Sequence, residues 1–240
     1  MASRRWVWPT IVGLLLGVGC TSTDSSARPS TSIPPAEAVG RTVETVPLAA
    51  VTEPAGVPGL AADDPFCSAW AGYAGTLQAL GIAASFGELS SDRFAALELV
   101  AAPRLVEVTD AIGALWPTEL AGERTVVIEQ RIGPYARRAR SAVATLADAG
   151  LSAAELVTLS GAWEAALLAR DPENPVITVP ALADPLRAKV DAAAVAFDAA
   201  VTPFAQDPSL VIDGVAAAAT DAYLVAHCPD LASSGVGDAL

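Results

Sequence analysis

The 240-residue chain contains little of what most active sites are built from. It has one histidine, His227, and three cysteines. A metal site needs several His, Cys or carboxylate ligands close together, and a single histidine with scattered acids predicts none. The sequence also lacks a Gly-x-Ser-x-Gly nucleophile turn, and its glycine-containing stretches do not follow a predicted strand, as a phosphate loop would. We therefore predict no catalytic residue, no metal and no cofactor.

Positive charge is scarce as well. One lysine and thirteen arginines stand against 27 acidic residues, so the formal net charge is −13. Removal of residues 1–19 would take away Arg4 and Arg5 and no acid, which would bring the charge to −15. A surface this acidic repels phosphate backbones and anionic lipid headgroups. We predict no nucleic-acid partner, and charge alone would not hold the protein on a membrane.

Long uninterrupted apolar runs are missing after residue 20. The mean hydropathy is +0.44 because alanine is abundant. Asp191 and Asp198 interrupt the apolar stretch 188–201, and Asp213 interrupts the stretch 210–226. A charge at the centre of a bilayer costs at least about 2.5 kcal/mol. We therefore expect no transmembrane helix in this part of the chain.

The N terminus does contain a short apolar run. Residues 1–20 read MASRRWVWPTIVGLLLGVGC, in which two arginines precede an apolar stretch over about residues 6–18. This stretch is shorter than the roughly 20 residues that a membrane-spanning helix needs. A positive segment followed by a short apolar segment and small residues is typical of an export signal. The sequence therefore predicts a signal peptide over residues 1–19.

The end of this segment resembles a bacterial lipoprotein signal peptide. Val18, Gly19 and Cys20 match the last three places of that pattern, whereas Gly17 stands where an aliphatic residue is usual. The resemblance implies that Cys20 takes up lipid and anchors the protein to the extracytoplasmic face of the cell membrane. The alternative is a freely secreted protein, because Gly17 and Gly19 also satisfy the small-x-small rule for ordinary cleavage.

Residues 20–62 have the composition of a tether. They are rich in Ser, Thr and Pro, and such a segment cannot bury enough apolar surface to offset the entropy of ordering it. We interpret it as a spacer between Cys20 and a folded domain, in preference to a glycosylated stalk. The last residues, 230–240, are predicted to form a disordered tail.

The folded domain is predicted over residues 63–229, and its apolar spacing is helical throughout. Asp64-Pro65 and the capping box Ser152-x-x-Glu155 mark helix starts. Pro134 is expected to kink a long third helix. No segment convincingly predicts a strand, so the fold class is all-α. The six helices are predicted at about 65–83, 91–116, 118–148, 152–170, 185–206 and 208–227.

Cys67 and Cys228 are predicted to form a disulfide. Cys67 lies in the first turn of the first helix and Cys228 directly follows the last helix. Disulfides persist in the oxidising space that an exported chain enters. Closing a loop of this length, about 160 residues, is worth at most about 5 kcal/mol on a chain-entropy estimate. We expect a six-helix, up-and-down-like bundle whose first and last helices are joined by this bond.

Four arginines of the third predicted helix stand out in a chain with few bases. Arg131 and Arg138, seven residues apart, share one side of a regular helix, whereas Arg137 and Arg140 point elsewhere. Arg131 and Arg138 together are a candidate site for a carboxylate or phosphate group. The alternative, which we favour, is that they form ion pairs with acids of neighbouring helices.

Other candidate groups are better explained by structural roles than by catalysis or ligand binding. His227 and Cys228 are adjacent, and neighbouring residues on a helix point about 100° apart, so they do not predict a nucleophile–base pair. Glu107 and Asp110 are three residues apart, but an exposed acidic face explains them. The large aromatic residues could line a pocket, yet their helical spacing favours a core; they are Trp70, Tyr73, Trp116, Trp163 and Phe197.

These observations favour a binding module over an enzyme. The organisation of signal, tether, helical domain and terminal cysteines resembles that of exported helical lipoproteins of high-G+C bacteria, a likeness that implies no site residue. We expect a non-enzymatic partner of an envelope protein or a small ligand. Two alternatives are a passive structural spacer and a secreted, hydrolase-like or isomerase-like enzyme. The polar residues of such an enzyme would come together only in the folded domain, and the participants would be His227, Glu129 or Arg131.

Overall fold

The computed structural model describes residues 56–200, 216–228 and 230–231, without the side chains of 198–200. Within these ranges the regular elements are helical and no strand occurs, which confirms the predicted all-α class for this part of the chain. The predicted signal peptide, Cys20 and residues 201–215 lie outside the described residues. The α-helices are α1 (Pro65–Phe86), α2 (Ser91–Ala114), α3 (Arg124–Val126), α4 (Gly133–Asp148), α5 (Ala153–Leu168), α6 (Asp184–Ala200) and α7 (Ala218–His227).

Two predicted helix starts are confirmed by their caps. The Asp64 carboxylate accepts hydrogen bonds from the backbone N–H groups of Phe66 (2.8 Å) and Cys67 (3.0 Å), so it satisfies donors that have no partner within the helix. Ser152 and Glu155 form the reciprocal capping box at the start of α5. These caps set where α1 and α5 begin, and hence which residues each helix presents to the core.

Helix α2 lies at the centre of the packing. It contacts α1, α4, α5 and α6, and it continues through Pro103 without a break. Small residues allow this close approach: a Cβ atom added at Gly72 of α1 would lie 3.0 Å from Cγ1 of Val108 in α2. The C-terminal end of this central helix forms one side of the site described below.

The prediction of one long helix over 118–148, kinked at Pro134, is wrong. The segment instead contains a 3-10 helix (Thr118–Leu120), the short α3, a π-helical segment (Val127–Ile132) and then α4. Pro134 has no amide hydrogen to donate to the carbonyl group four residues earlier, and the backbone widens to π-helical turns directly before it. The widening changes which side of the segment each side chain occupies.

The packed domain extends beyond both predicted limits. Val57 and Leu60 are buried in the core, and the Gly56 N–H group donates to the Arg170 carbonyl oxygen at 2.7 Å. The predicted tether end at residue 62 is therefore too late. Leu231 is also buried, so the predicted tail does not begin at 230. Burial of these apolar side chains in the core explains both differences.

Helix α7 is attached to the rest of the domain at both ends. The Sγ atoms of Cys67 and Cys228 lie 1.97 Å apart, so the structure supports the predicted disulfide. At the other end, the Glu123 carboxylate accepts hydrogen bonds from the backbone N–H groups of Ala219 (3.0 Å) and Thr220 (2.8 Å). These hydrogen bonds, with that of the Thr220 hydroxyl group, hold the pKa of Glu123 below its usual value.

Candidate functional site

An open groove of about 730 Å³ lies where the end of α2, α3, the π-helical segment and the start of α4 meet. Its volume is within the range of small-ligand sites in proteins. We call it the arginine groove, because three arginines line it among acidic and small residues. The residues that define it are Asp110, Gly113, Arg124, Glu129, Arg137 and Arg140.

The irregular segment between α2 and α4 brings the arginines together. Arg137 and Arg140 are three residues apart on α4 and therefore neighbours on its surface. Arg124 belongs to α3, on the other side of the π-helical segment, and its Nη2 donates to the Gly113 carbonyl oxygen at 3.0 Å. This hydrogen bond connects α3 to the end of α2. The groove is thus built from residues that one continuous helix could not have placed in this way.

The charged groups of the groove differ in their partners. Arg140 forms an ion pair with Asp110, and both side chains are more than half exposed. Arg124 donates to a carbonyl oxygen. Within the part of the chain that the structure describes, Arg137 and Glu129 make no hydrogen bond or ion pair. The groove therefore presents a guanidinium group and a carboxylate that are available to a ligand.

The predicted candidates Arg131 and Arg138 lie elsewhere and are buried. Arg138 donates from Nε and Nη2 to the two carboxylate oxygens of Glu98, each at 2.9 Å. Arg131 donates from Nη1 to Asp221 of α7 at 2.7 Å. Both guanidinium groups thus contact carboxylates of this chain, as the ion-pair alternative expects, and an added anion would have to displace them.

The structure places the three residues considered for an enzyme in different surroundings. Glu129 lines the arginine groove. His227 lies beside the Cys67–Cys228 pair, next to a separate cavity of about 320 Å³, and its ring stacks on Tyr223 with centroids 4.2 Å apart. Arg131 is buried and lines neither of these cavities.

Glu107 and Asp110, the two acids of α2 considered as an acid–base pair, contact different partners. Glu107 accepts a hydrogen bond from the Ser160 hydroxyl group at 2.6 Å, and Arg104 donates to Glu107 as well. Asp110 pairs instead with Arg140. The two carboxylates therefore face different partners and do not form an acid–base pair.

Most of the large aromatic residues belong to the core. Trp70, Tyr73, Trp163 and Phe197 are almost completely buried. The Trp163 indole N–H donates to the Thr76 hydroxyl group at 3.0 Å, and burial raises the pKa of Tyr73 above its usual value. Trp116 is partly buried, edge-on to Phe66. These residues pack together and do not line the arginine groove.

The charged side chains of the arginine groove can recognise charged groups of a ligand. The described residues contain no group of three or more His, Cys, Asp or Glu side chains placed to hold a metal ion. Nor do they include a helix with the length and apolar character to cross a bilayer. Comparisons of the chain with protein-family models, curated proteins and solved structures find no match.

Sequence reasoning missed the arginine groove. It treated Arg137 and Arg140 as isolated exposed charges and gave no role to Arg124 or Gly113. One signal was present: Gly133-Pro134 interrupts the helical pattern immediately before a run of arginines, and π-helical turns frequently accompany functional sites.

Proposed function

We propose that this chain is an exported, lipid-anchored helical domain of the bacterial envelope that binds a ligand without transforming it. The observation that carries the proposal is the arginine groove. It has the volume of a ligand site, and among the described residues it contains charged groups without an ion-pair partner and no nucleophile next to a base. A binding role uses these features directly, whereas a passive spacer would need no such groove.

The N-terminal sequence supports the proposed location. A signal peptide over residues 1–19 would deliver the chain across the membrane, and lipid on Cys20 would retain it there. The Ser/Thr/Pro-rich segment that follows would let the domain reach away from the bilayer. A disulfide between Cys67 and Cys228 is consistent with an oxidising compartment.

The finer architecture is part of the same proposal. An up-and-down-like bundle of six helices is supported by the helical content and by the link between α1 and the end of α7. The central position of α2, in contact with α1, α4, α5 and α6, adds a feature that a simple ring of helices lacks. A central helix would give the groove a rigid wall.

Obstructing the groove tests the binding role. A Cβ atom added at Gly113 or at Gly161 meets nothing within 4 Å, so a leucine side chain at either position starts in open space. Leucine also favours helix over glycine by about 1 kcal/mol. Gly113→Leu places a side chain in the groove, and Gly161→Leu on α5 is the matched control.

The readout is thermal unfolding with four probes at constant ionic strength: citrate, pyrophosphate, sucrose and spermidine. We expect at least one probe to raise the Tm of the wild type and of Gly161→Leu, because a ligand that binds only the native state stabilises it. The same probe should leave the Tm of Gly113→Leu unchanged. A groove variant that responds like the wild type, or a wild type that responds to none of the four, would contradict the proposal.

A further inference from the structure

The geometry points to a small multivalent anion, bearing carboxylate or phosphate groups, as the ligand of the arginine groove, with Arg137 as its first contact. This inference rests on the proposed binding function and adds the chemical class of the ligand. Guanidinium groups match both carboxylate and phosphate oxygens with paired hydrogen bonds. The two chemistries are therefore treated together and separated by experiment.

Within the described residues, Arg137 is the arginine of the groove that contacts neither a carboxylate nor a carbonyl oxygen. The net charge is −13, and five other described arginines contact carboxylates of the chain: Arg104, Arg131, Arg138, Arg140 and Arg187. Arg137 lines the arginine groove and has no such partner within the described residues. An anionic ligand would supply the counter-charge that the described residues do not provide at this position.

The Arg137 side chain lies against the wall of the groove. A Cβ atom added at Gly133 would be 3.1 Å from Nη1 of Arg137 and 3.1 Å from the Ile128 carbonyl oxygen. The guanidinium group thus folds back over a glycine at the junction of the π-helical segment and α4. Because the guanidinium group already lies at the groove, its side chain loses less conformational entropy when a ligand binds.

Arg140 and Arg124 extend the positive surface. The Arg140–Asp110 pair is more than half exposed, and exposed ion pairs are weak enough for an anion to compete with the carboxylate. Arg124 keeps donor capacity beyond its hydrogen bond to Gly113, because a guanidinium group has five N–H donors. A ligand with several anionic oxygens could use more than one of these arginines, which is why the inference names a multivalent anion.

Two carboxylates limit how much negative charge the groove accepts. Asp110 and Glu129 line it together with the three arginines, so its formal charge is small and positive. These acids oppose an extended polyanion such as nucleic acid, as does the net charge of −13. The groove therefore fits a compact anion that contacts the arginines and avoids Glu129.

Isothermal titration calorimetry of the whole mature chain with citrate and with pyrophosphate tests the inference. Removing a charged hydrogen-bond donor typically weakens binding by tenfold or more, so we expect Arg137→Gln to bind at least about tenfold more weakly than the wild type. The control Arg93→Gln makes the same charge change at an exposed position about 25 Å along α2 from the groove. It should change the affinity by less than about twofold.

The two probes separate the chemistries, because binding of citrate alone indicates carboxylate recognition and binding of pyrophosphate alone indicates phosphate recognition. The inference is overturned if the wild type binds neither anion, or if Arg137→Gln and Arg93→Gln weaken binding equally. If sucrose or spermidine stabilises the wild type but not Gly113→Leu, while neither anion binds, the proposed function stands and the anion inference alone fails.

Discussion

The Arg138 guanidinium group and the Glu98 carboxylate form a bidentate ion pair inside the helical domain. Both N···O distances are 2.9 Å, and the side chains are 7% and 6% exposed. The pair connects α4 to α2, and the Phe197 ring of α6 lies 5.5 Å from the guanidinium carbon. Three helices therefore meet at one buried charged contact, which lies away from the groove.

Replacing Glu98 by glutamine should destabilise the domain strongly. Glutamine keeps the shape of glutamate but removes the carboxylate charge that faces the buried Arg138 guanidinium group, and breaking a buried pair in this way costs about 3–5 kcal/mol. Urea unfolding followed by circular dichroism measures the change. The double variant Glu98→Leu/Arg138→Met should be more stable than Glu98→Gln, because neither charge is then buried. A loss below about 0.5 kcal/mol in Glu98→Gln would show that the pair is not buried in solution.

Gly75→Ala tests whether residues 56–62 are packed on the helices. An added Cβ atom would lie 2.6 Å from Cγ1 of Val57, so the alanine and the valine cannot both keep their positions. We expect a net loss of about 1–3 kcal/mol from this overpacking, although alanine favours helix over glycine. Urea unfolding gives the size of the loss.

The rescue variant for this contact is Val57→Ala/Gly75→Ala. Removing the valine methyl groups relieves the overlap, so the double variant should lose less stability than the sum of the two single variants. Additive losses would mean that Val57 does not lie against Gly75, and the tether would then extend to residue 62.

Acid should destabilise the domain partly through Glu155. The Lys189 ammonium group, with hydrogen bonds from Ser152, lowers the pKa of Glu155 from 4.5 to about 2. The unfolded state therefore takes up a proton at a higher pH than the folded state does. The contribution of Glu155 to stability is fully present above about pH 4.5 and is lost as the pH falls towards 2.

The measurement is the free energy of unfolding at several pH values between 6 and 2. Glu155→Gln should flatten the loss between pH 4.5 and 2 relative to the wild type. Glu173→Gln is the control, because Glu173 is exposed and its carboxylate makes no hydrogen bond within the described residues. Parallel curves for Glu155→Gln and the wild type would rule out this role.

The sequence predicted those features that depend on neighbouring residues. Asp64-Pro65 and Ser152-x-x-Glu155 identified helix starts because a cap is a local hydrogen-bond pattern. The spacing of Trp70 and Tyr73 predicted that both lie in the core, because residues three apart share one face of a helix. The pairing of Cys67 with Cys228 followed from the small number of cysteines rather than from spacing.

The features that sequence reasoning missed depend on distant contacts. The π-helical segment before Pro134 cannot be read from a helical period, and without it Arg124 and Arg137 do not line the same groove. Val57 lies in a stretch whose composition suggests a tether, yet it is buried against Gly75. For Val57 the partner is many residues away, so local composition carried no signal, whereas for the groove the one local signal was Gly133-Pro134.

The most direct test of the account is the intact mass, under non-reducing conditions, of the protein recovered from the cell envelope of a producing bacterium. We predict a chain that begins at Cys20, carries lipid on that residue, and has no reactive thiol at Cys67 or Cys228. Full-length chain in the cytosol, with residues 1–19 attached and both of those thiols free, would contradict it.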